Sequence, residues 1–477
     1  MAAKKKVAAK KNAAASKIAS RAAAAARSRK AKRSKRLEIS ASERHRLAGI
    51  RRLAAAPGPA RILRIPITNI LDGSDYSAKL YIGSAKAPAD VILDTGSSTL
   101  AVDPSAYNGR NDKNLKTTTY GQLVLYGTGG WAGPVVDTSL SFGDPQSNVT
   151  LDSAPVAIAA VQQPGNFEGV KGIMGLAYNG LNAAYDFKNY LAKLKKPQTT
   201  YPWPFPGKNF KTFSVSFKKL VKTNKVPEPD ITPYFDELED NHVVANKFAF
   251  YTLRSWVSMR AGSEQAVAAD PLNQGFFILG GGEEQTDLYQ GNFVNVDVLD
   301  DLYYNTNLKS VQVDGCAAVA AAPLQAQYQD FMISNSIVDS GTSDLTLAAD
   351  VYQAILNGLT QLNPTFRQAI TEYSSAASRQ QGIPASSLKL AAWPNIYFTL
   401  SGENGEDVKL TCSPQTYWQV DFPRAGQAAF QISGPIDPAN QSILGLPLLN
   451  NYYTVFDRSL DSQGVVRFAP IKPLAAS

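Results

Sequence analysis

The heptapeptide ILDTGSS at residues 92–98 occurs again as IVDSGTS at residues 337–343, so one pattern appears twice, 245 residues apart. In each copy two aliphatic residues precede an acid, a hydroxyl residue and a glycine. This order indicates a buried strand that ends in the acid and then turns at a glycine able to adopt a positive φ. A second similarity follows each copy, IMG at residues 173–175 and ILG at residues 443–445. The duplication predicts two lobes of common design.

The two acids, Asp94 and Asp339, are the predicted catalytic residues. A single Asp-Thr-Gly is most often a turn after a strand, but two copies with matching neighbours favour a shared site. If the predicted lobes, residues 62–255 and 256–477, are related by an approximate two-fold axis, both strand ends meet at that axis. The carboxylates can then share one water molecule.

Two carboxylates at such a site have a defined chemistry. Like charges at short range cannot both ionise easily, so the pair holds one proton over a broad acidic range. The charged member can take a proton from water as the water attacks an amide carbonyl, while the protonated member donates to the carbonyl oxygen. This reaction requires neither a metal nor a cofactor, and we expect none.

The residues next to the acids are predicted to support the pair. A carboxylate that must stay oriented and partly ionised needs hydrogen-bond donors. Ser97 and Thr342 are placed to donate to the outer carboxylate oxygens, and Thr95 and Ser340 are placed to brace the two loops against each other. The supporting set is completed by two glycines, Gly96 and Gly341.

From about residue 62 the sequence is typical of β structure. Short runs rich in Val, Ile, Leu, Tyr and Thr are separated by Gly, Pro, Asn and Asp. The clearest predicted strands are residues 77–82, 90–93, 122–126, 276–279, 396–400 and 452–456. The best helical pattern is at residues 350–362, where apolar residues recur at helical spacing.

These motifs resemble the pepsin family over nearly all of residues 62–477. LYGTGGWAG at residues 125–133 resembles the family's flap hairpin, which implies that Tyr126, Gly127 and Thr128 fold over substrate. VKGIMGLAY at residues 170–178 resembles the loop behind the active site, and YYTVFDR at residues 452–458 resembles the C-terminal part. Pepsin is itself the standard example of the carboxylate pair described above.

The resemblance implies a mainly β, two-lobed acid protease fold, with double-psi β-barrel lobes related by pseudo-two-fold symmetry. It also implies an aspartic endopeptidase that works best at acidic pH and prefers apolar or aromatic residues on both sides of the cut bond. The alternative is a catalytically weak or inactive relative that binds peptides without cutting them.

Two departures from the family pattern carry expectations of their own. Ala101 stands where the family usually has a tryptophan that hydrogen-bonds the flap tyrosine, so we expect Tyr126 to be less restrained and the flap to be more mobile. Residues 181–230 are an apparent insertion. They contain YPWPFP at residues 201–206, which cannot be a regular strand or helix. A surface loop is favoured over a lid that contacts substrate.

The net charge of +8 is unevenly distributed. Residues 1–64 contain 20 basic and two acidic side chains and carry +18, whereas the rest of the chain carries −10. Residues 1–60 are almost entirely Ala, Lys, Arg and Ser, so we expect a disordered tail or a pro-segment. The tail could be a solvated extension, an inhibitory segment docked on the acidic body, an organelle-targeting signal or a nucleic-acid-binding extension.

The sequence also favours a cytoplasmic monomer that acts on polypeptides. We expect neither a signal peptide nor a transmembrane segment, because the longest apolar run of the tail is too short for either. Two cysteines, Cys316 and Cys412, do not make a disulfide framework, and free thiols in a reducing compartment are the favoured interpretation.

Overall fold

A computed structural model of the protein describes residues 61–69, 76–126, 129–145, 147–167, 169–377, 380–435, 440–459 and 463–472. The tail of residues 1–60, with the roles predicted for it, lies outside the described residues. Within the described ranges the chain forms 27 strands and ten α-helices. The fold is therefore mainly β, as predicted.

The strands, in chain order, are β1 Leu63–Asn69, β2 Tyr76–Ile82, β3 Ala87–Asp94, β4 Leu100–Val102, β5 Lys116–Leu125, β6 Gly130–Gly143, β7 Asn148–Ile158, β8 Val161–Gln162, β9 Gly172–Gly175, β10 Tyr185–Asp186, β11 Lys247–Tyr251, β12 Gln274–Leu279, β13 Val294–Asp297, β14 Asn305–Thr306, β15 Leu308–Val313, β16 Val319–Ala320, β17 Ser336–Val338, β18 Leu345–Thr346, β19 Ile383–Pro384, β20 Ile396–Ser401, β21 Asp407–Cys412, β22 Trp418–Val420, β23 Gln427–Phe430, β24 Ile432–Ser433, β25 Ser442–Leu444, β26 Tyr452–Asp457 and β27 Val465–Pro470. The helices are α1 Lys188–Lys193, α2 Phe210–Thr223, α3 Tyr234–Asp240, α4 Glu264–Ala269, α5 Gln329–Met332, α6 Ala349–Leu362, α7 Pro364–Ala377, α8 Ala385–Leu388, α9 Pro414–Tyr417 and α10 Leu446–Leu449. The six strands and the helix predicted from sequence are confirmed, with shifts of a few residues at their ends.

A sheet of fifteen strands runs through both halves of the chain. β1 pairs with β12, and β11 pairs with both β12 and β26, so strands from distant parts of the sequence are adjacent. Along β1, alternate residues are buried, as a period of two residues requires for a strand with one face on the core. Asp94 lies at the end of β3 in this sheet, whereas β17, the strand before Asp339, belongs to a second sheet of five strands.

Both copies of the duplicated motif build the same local topology. β9 lies between β3 and β4, parallel to β3 and antiparallel to β4. In the second half, β25 lies between β17 and β18 with the same two directions. The IMG and ILG sequences therefore form the central strand beside each acid. This repetition confirms the two-lobed fold class, and the residue limits of the lobes stay a prediction.

The insertion at residues 181–230 is more ordered than the favoured surface loop, and that expectation was wrong. It forms β10, α1 and α2, and β10 extends the sheet beside β5. The residues YPWPFP do lack regular structure, as expected. Around them, buried Phe187, Phe210, Phe213 and Phe217 form an aromatic cluster. Burying this much aromatic surface orders the segment.

The cysteines are both free, as predicted, with Cys412 buried and Cys316 half-buried. In the part of the chain that the structure describes, every helix is too short or too polar to cross a membrane.

Candidate active site

Asp94 is the last residue of the buried strand β3, and its carboxyl group is held by its own loop. The side chain is 6% exposed. One carboxylate oxygen accepts a hydrogen bond from the Gly96 backbone N–H at 2.7 Å, and the other accepts one from the Ser97 hydroxyl. Because a strand end and two donors fix this carboxyl, its orientation follows from the local sequence.

Asp339, directly after β17, has the matching environment. It is 8% exposed. The Gly341 N–H donates to one carboxylate oxygen at 2.9 Å, and the Thr342 hydroxyl donates to the other at 2.7 Å. Each acid therefore accepts from the residues two and three positions after it, so the sequence repeat is also a repeat of hydrogen bonds.

The two carboxyl groups meet at one place. A β-carbon added to Gly96 would lie 2.6 Å from a carboxylate oxygen of Asp339, and one added to Gly341 would overlap the carboxylate of Asp94. Each acid thus lies against the glycine of the opposite loop. The positive φ predicted for these glycines is wrong, because neither is among the described residues with a positive φ. At each of these two glycines, a side chain is excluded because it would collide with the carboxylate of the opposite loop.

Thr95 and Ser340 join the two loops through buried hydrogen bonds. The Thr95 N–H donates to Ser340 Oγ at 3.1 Å, and the Ser340 N–H donates to Thr95 Oγ1 at 2.8 Å. Each hydroxyl also donates to a carbonyl just before the opposite acid, Thr95 to Val338 at 3.2 Å and Ser340 to Leu93 at 2.8 Å. These four bonds fix the spacing of the two carboxyls.

Burial raises the pKa of both acids. Repulsion from Asp339 raises the pKa of Asp94 further, while the donors from Ser97 and Gly96 lower it. Two carboxyls with this coupling titrate as a pair, and the pair keeps a proton above the ordinary carboxyl range.

Tyr126 lies at the end of β5 in the flap hairpin, where its N–H donates to the Gly129 carbonyl at 2.9 Å. Gly127 and Thr128, predicted with it, lie outside the described residues. Burial raises the pKa of the phenol, and the negative charge of Asp94 acts in the same direction. Tyr126 is therefore a neutral phenol within electrostatic reach of the carboxyl pair.

The expectation of a loosely held Tyr126 was wrong. The Trp131 indole N–H donates to the Tyr126 hydroxyl at 3.2 Å. Trp131 on β6 and Ala101 on β4 are both fully buried and belong to the same apolar cluster. A tryptophan thus bonds the tyrosine, but from a different strand. The signal was present in the sequence as an indole five residues after Tyr126.

Apolar side chains pack on both faces of the flap hairpin. Val124 pairs with Trp131 across the strands, and both belong to the cluster that contains Ala101. The next pair, Leu123 and Ala132, belongs instead to the aromatic cluster of the insertion. Because successive residues of a strand point to opposite faces, the insertion packs behind the flap.

One further carboxyl near the site was not singled out from the sequence. Asp344 follows Thr342 by two residues, and burial raises its pKa to about 6. When the Asp344 carboxyl loses its proton near pH 6, it adds a negative charge to the loop that follows Asp339. Within the described residues, no group of three His, Cys, Asp or Glu side chains could hold a metal ion.

Comparisons with known proteins give a consistent result. Residues 216–470 match the model of the family described as eukaryotic aspartyl protease. The chain is 21% identical over 413 residues to a beta-secretase of Strongylocentrotus purpuratus. That match covers 83% of this chain and 66% of the beta-secretase. It is 25% identical over 427 residues to a chymosin of Camelus dromedarius, and that match covers 85% of this chain and 84% of the chymosin. A pepsin A of Sus scrofa is 23% identical over 420 residues, and that match covers 85% of this chain and 84% of the pepsin A. The chain thus spans slightly less than two thirds of the beta-secretase.

Proposed function

Because this chain belongs to the eukaryotic aspartyl protease family, we propose that it is an aspartic endopeptidase that hydrolyses polypeptides at Asp94 and Asp339. The observation that carries the proposal is the placement of each carboxyl against the glycine of the opposite loop. Buried and braced in this way, the two acids can act on the same water molecule and the same carbonyl group.

In the proposed reaction the pair begins with one proton. The ionised carboxyl takes a proton from water as the water oxygen attacks the peptide carbonyl carbon, and the protonated carboxyl donates to the carbonyl oxygen. The carboxyl that took the water proton then gives it to the amine nitrogen, the C–N bond breaks, and the other carboxylate takes the proton of the hydroxyl group as the new carboxylic acid forms, which restores the pair with one proton. The donors from Ser97 and Thr342 keep the outer carboxylate oxygens oriented through both steps.

The flap completes the proposed site. Tyr126, together with Gly127 and Thr128, would cover the substrate, and the bond from Trp131 holds the phenol in position. A preference for apolar or aromatic residues flanking the cut bond is part of the proposal and rests on family membership.

The proposed activity is highest at acidic pH. At low pH both carboxyls become protonated, and no base remains to activate water. As pH rises, the pair loses its last proton and with it the acid. Burial raises the pKa of both groups, which moves that second loss to higher pH than for ordinary carboxyls.

The test is cleavage of an unfolded protein between about pH 3 and pH 7 by the wild type, by Asp94→Asn and by Asp90→Asn. Asp90 lies on the same strand but is exposed. Cleavage that is blocked by a statine-type transition-state mimic, lost in Asp94→Asn and retained in Asp90→Asn is the expected result. Cleavage that survives Asp94→Asn would refute the assignment, and binding of the mimic without cleavage would support the peptide-binding alternative.

A further inference from the structure

The insertion at residues 181–230 is a basic region on an acidic body. It contains ten lysines, no arginine and three acidic residues, and so carries +7. The other residues from 65 to 477 contain 18 basic and 35 acidic side chains and carry −17. Such a contrast produces a local positive potential that attracts anionic groups and directs their approach.

The lysines of α2 lie on its outer face. Phe210, Phe213 and Phe217 are buried in the aromatic cluster. Lys211, Lys219 and Lys222 are exposed on the opposite side, because their separations of eight, three and eleven residues keep them on nearly the same side of a helix. Val215 is 53% exposed among them.

The end of α1, a helix whose Leu191 packs in the same aromatic cluster as α2, carries further exposed lysines. Lys193, Lys195 and Lys196 are exposed there, next to Leu194, which is 48% exposed. Among the described residues, neither the three exposed lysines of α2 nor the three at and after the end of α1 have an ion-pair partner. The "lysine surface", defined as Lys208 and these six lysines, therefore has free charge to offer a ligand.

The lysine surface begins at the flap. A β-carbon added to Gly130 would lie 2.7 Å from the ring of Phe210, the first residue of α2. Gly130 pairs with Leu125, the neighbour of Tyr126. Lys208 and Lys211 flank Phe210 and are exposed. An extended polypeptide spans about 3.4 Å per residue, and Lys208 and Lys211 are the members of this surface nearest in sequence to the contact with the flap.

We infer that the lysine surface binds acidic segments of polypeptide substrates beside the cut bond. This inference rests on the proposed function. The apolar face of α2 is buried in the protein, so the helix cannot insert that face into a bilayer or into a partner's groove. The rest of the acidic body repels carboxylate-rich segments and so leaves this surface as their docking site.

The kinetic test compares two peptides with one cleavage sequence, extended at either end by six glutamates or six glutamines, at about pH 6. Lysine and glutamate are both charged at this pH. The surface variant and its matched control each remove four exposed lysine charges and leave the dyad intact. The surface variant replaces Lys208, Lys211, Lys219 and Lys222 with Gln, and the control replaces Lys86, Lys113, Lys389 and Lys472 with Gln.

For the wild type and the control we expect the glutamate extension at one end to lower KM about tenfold, with kcat unchanged, since several exposed charge pairs contribute a few tenths of a kcal/mol each. The surface variant should lose this advantage, and so should the wild type at about 0.5 M salt. An advantage that persists in the surface variant, or that disappears equally in the control, would overturn the inference.

Binding is measured separately with the full chain carrying Asp94→Asn and a fluorescent glutamate-extended peptide. If the wild type cuts no peptide but peptide binding depends on the lysines, the proposed endopeptidase activity is refuted. The binding of acidic segments by the lysine surface is then retained. Tighter lysine-dependent binding of an oligonucleotide or of phosphatidylserine vesicles would overturn the choice of partner. Salt-sensitive self-association that the surface variant loses would assign the surface to a second copy of the chain instead.

Discussion

The brace between the two catalytic loops gives the sharpest prediction, which is tested by Thr95→Val. Valine has nearly the shape of threonine but lacks its hydroxyl. The hydroxyl donates to the Val338 carbonyl and accepts from the Ser340 N–H, and the side chain is fully buried. The substitution therefore removes two hydrogen bonds across the lobes with little change in packing.

The magnitude follows from the two backbone groups that lose their partner. A buried donor or acceptor left without a hydrogen bond costs about 1–3 kcal/mol, so with two such groups the free energy of unfolding should fall by about 2–6 kcal/mol. The carboxyls also lose their fixed spacing. A displacement of about 1 Å in a catalytic group lowers the rate about 100-fold, and we expect that loss in kcat/KM.

Unfolding by urea and cleavage of one peptide at a single acidic pH measure both effects. Thr95→Ser is the matched control, since it keeps the hydroxyl and Ser340 shows that serine fits the equivalent position. It should lose only about 1 kcal/mol, for the missing methyl group. A valine variant within 1 kcal/mol of the wild type and equally active would refute the role of the brace, as would a serine variant as impaired as the valine one.

Three other substitutions have defined outcomes. Trp131→Phe keeps a ring in the cluster but removes the donor to Tyr126. This should lower kcat/KM about fivefold to tenfold for a bond worth about 1 kcal/mol, with a similar Tm in calorimetry, and unchanged activity would contradict it. Asp344 is half-buried, and desolvation raises its pKa to about 6, so its favourable protonated state is lost as pH rises from about 4 through 6. Asp344→Asn should therefore raise the unfolding free energy by up to about 3 kcal/mol at pH 7 and by almost nothing at about pH 3.5, whereas an equal gain at both would contradict this cause. Arg458→Met leaves the carboxylate of Asp236, 2.7 Å from the guanidinium, without its buried partner. We expect a loss of about 3–5 kcal/mol in urea unfolding, partly recovered by adding Asp236→Asn, and an unrecovered loss would indicate a packing effect.

The strands and the acid pair could be predicted because they depend on short-range sequence. Asp94 ends a run of aliphatic residues and is followed by its own donors, and Asp339 repeats that order. A strand that ends in a loop with these donors needs no distant information to orient its carboxyl. Period-two burial along β1 and β2 likewise follows from alternating residue types.

The reason for the two glycines could not be predicted, because it comes from the other lobe. From the sequence, Gly96 suggests a backbone that needs a positive φ. In the structure, the carboxylate of Asp339 occupies the space where a side chain would lie. That contact is between residues more than 240 positions apart, and no local pattern encodes it.

The insertion was misjudged for a similar reason. Its apolar stripe at Phe210, Phe213 and Phe217 has helical spacing and could have predicted α2. The prolines at residues 201–206 instead suggested an irregular surface loop. The packing partner of the stripe, the outer face of the flap around Ala132, belongs to a different part of the chain.

The packing of the flap on both faces changes what its motion involves. Val124 and Trp131 are held by the cluster around Ala101, and Leu123 and Ala132 are held by the insertion. Opening the whole hairpin would expose both clusters, and burial of apolar surface opposes that exposure. Either the pairs Val124–Trp131 and Leu123–Ala132 stay in place, or the insertion moves together with the hairpin. The unchanged kcat expected for the glutamate extension corresponds to the first case, whereas in the second case a ligand on the lysine surface would shift the flap and change kcat in addition to KM.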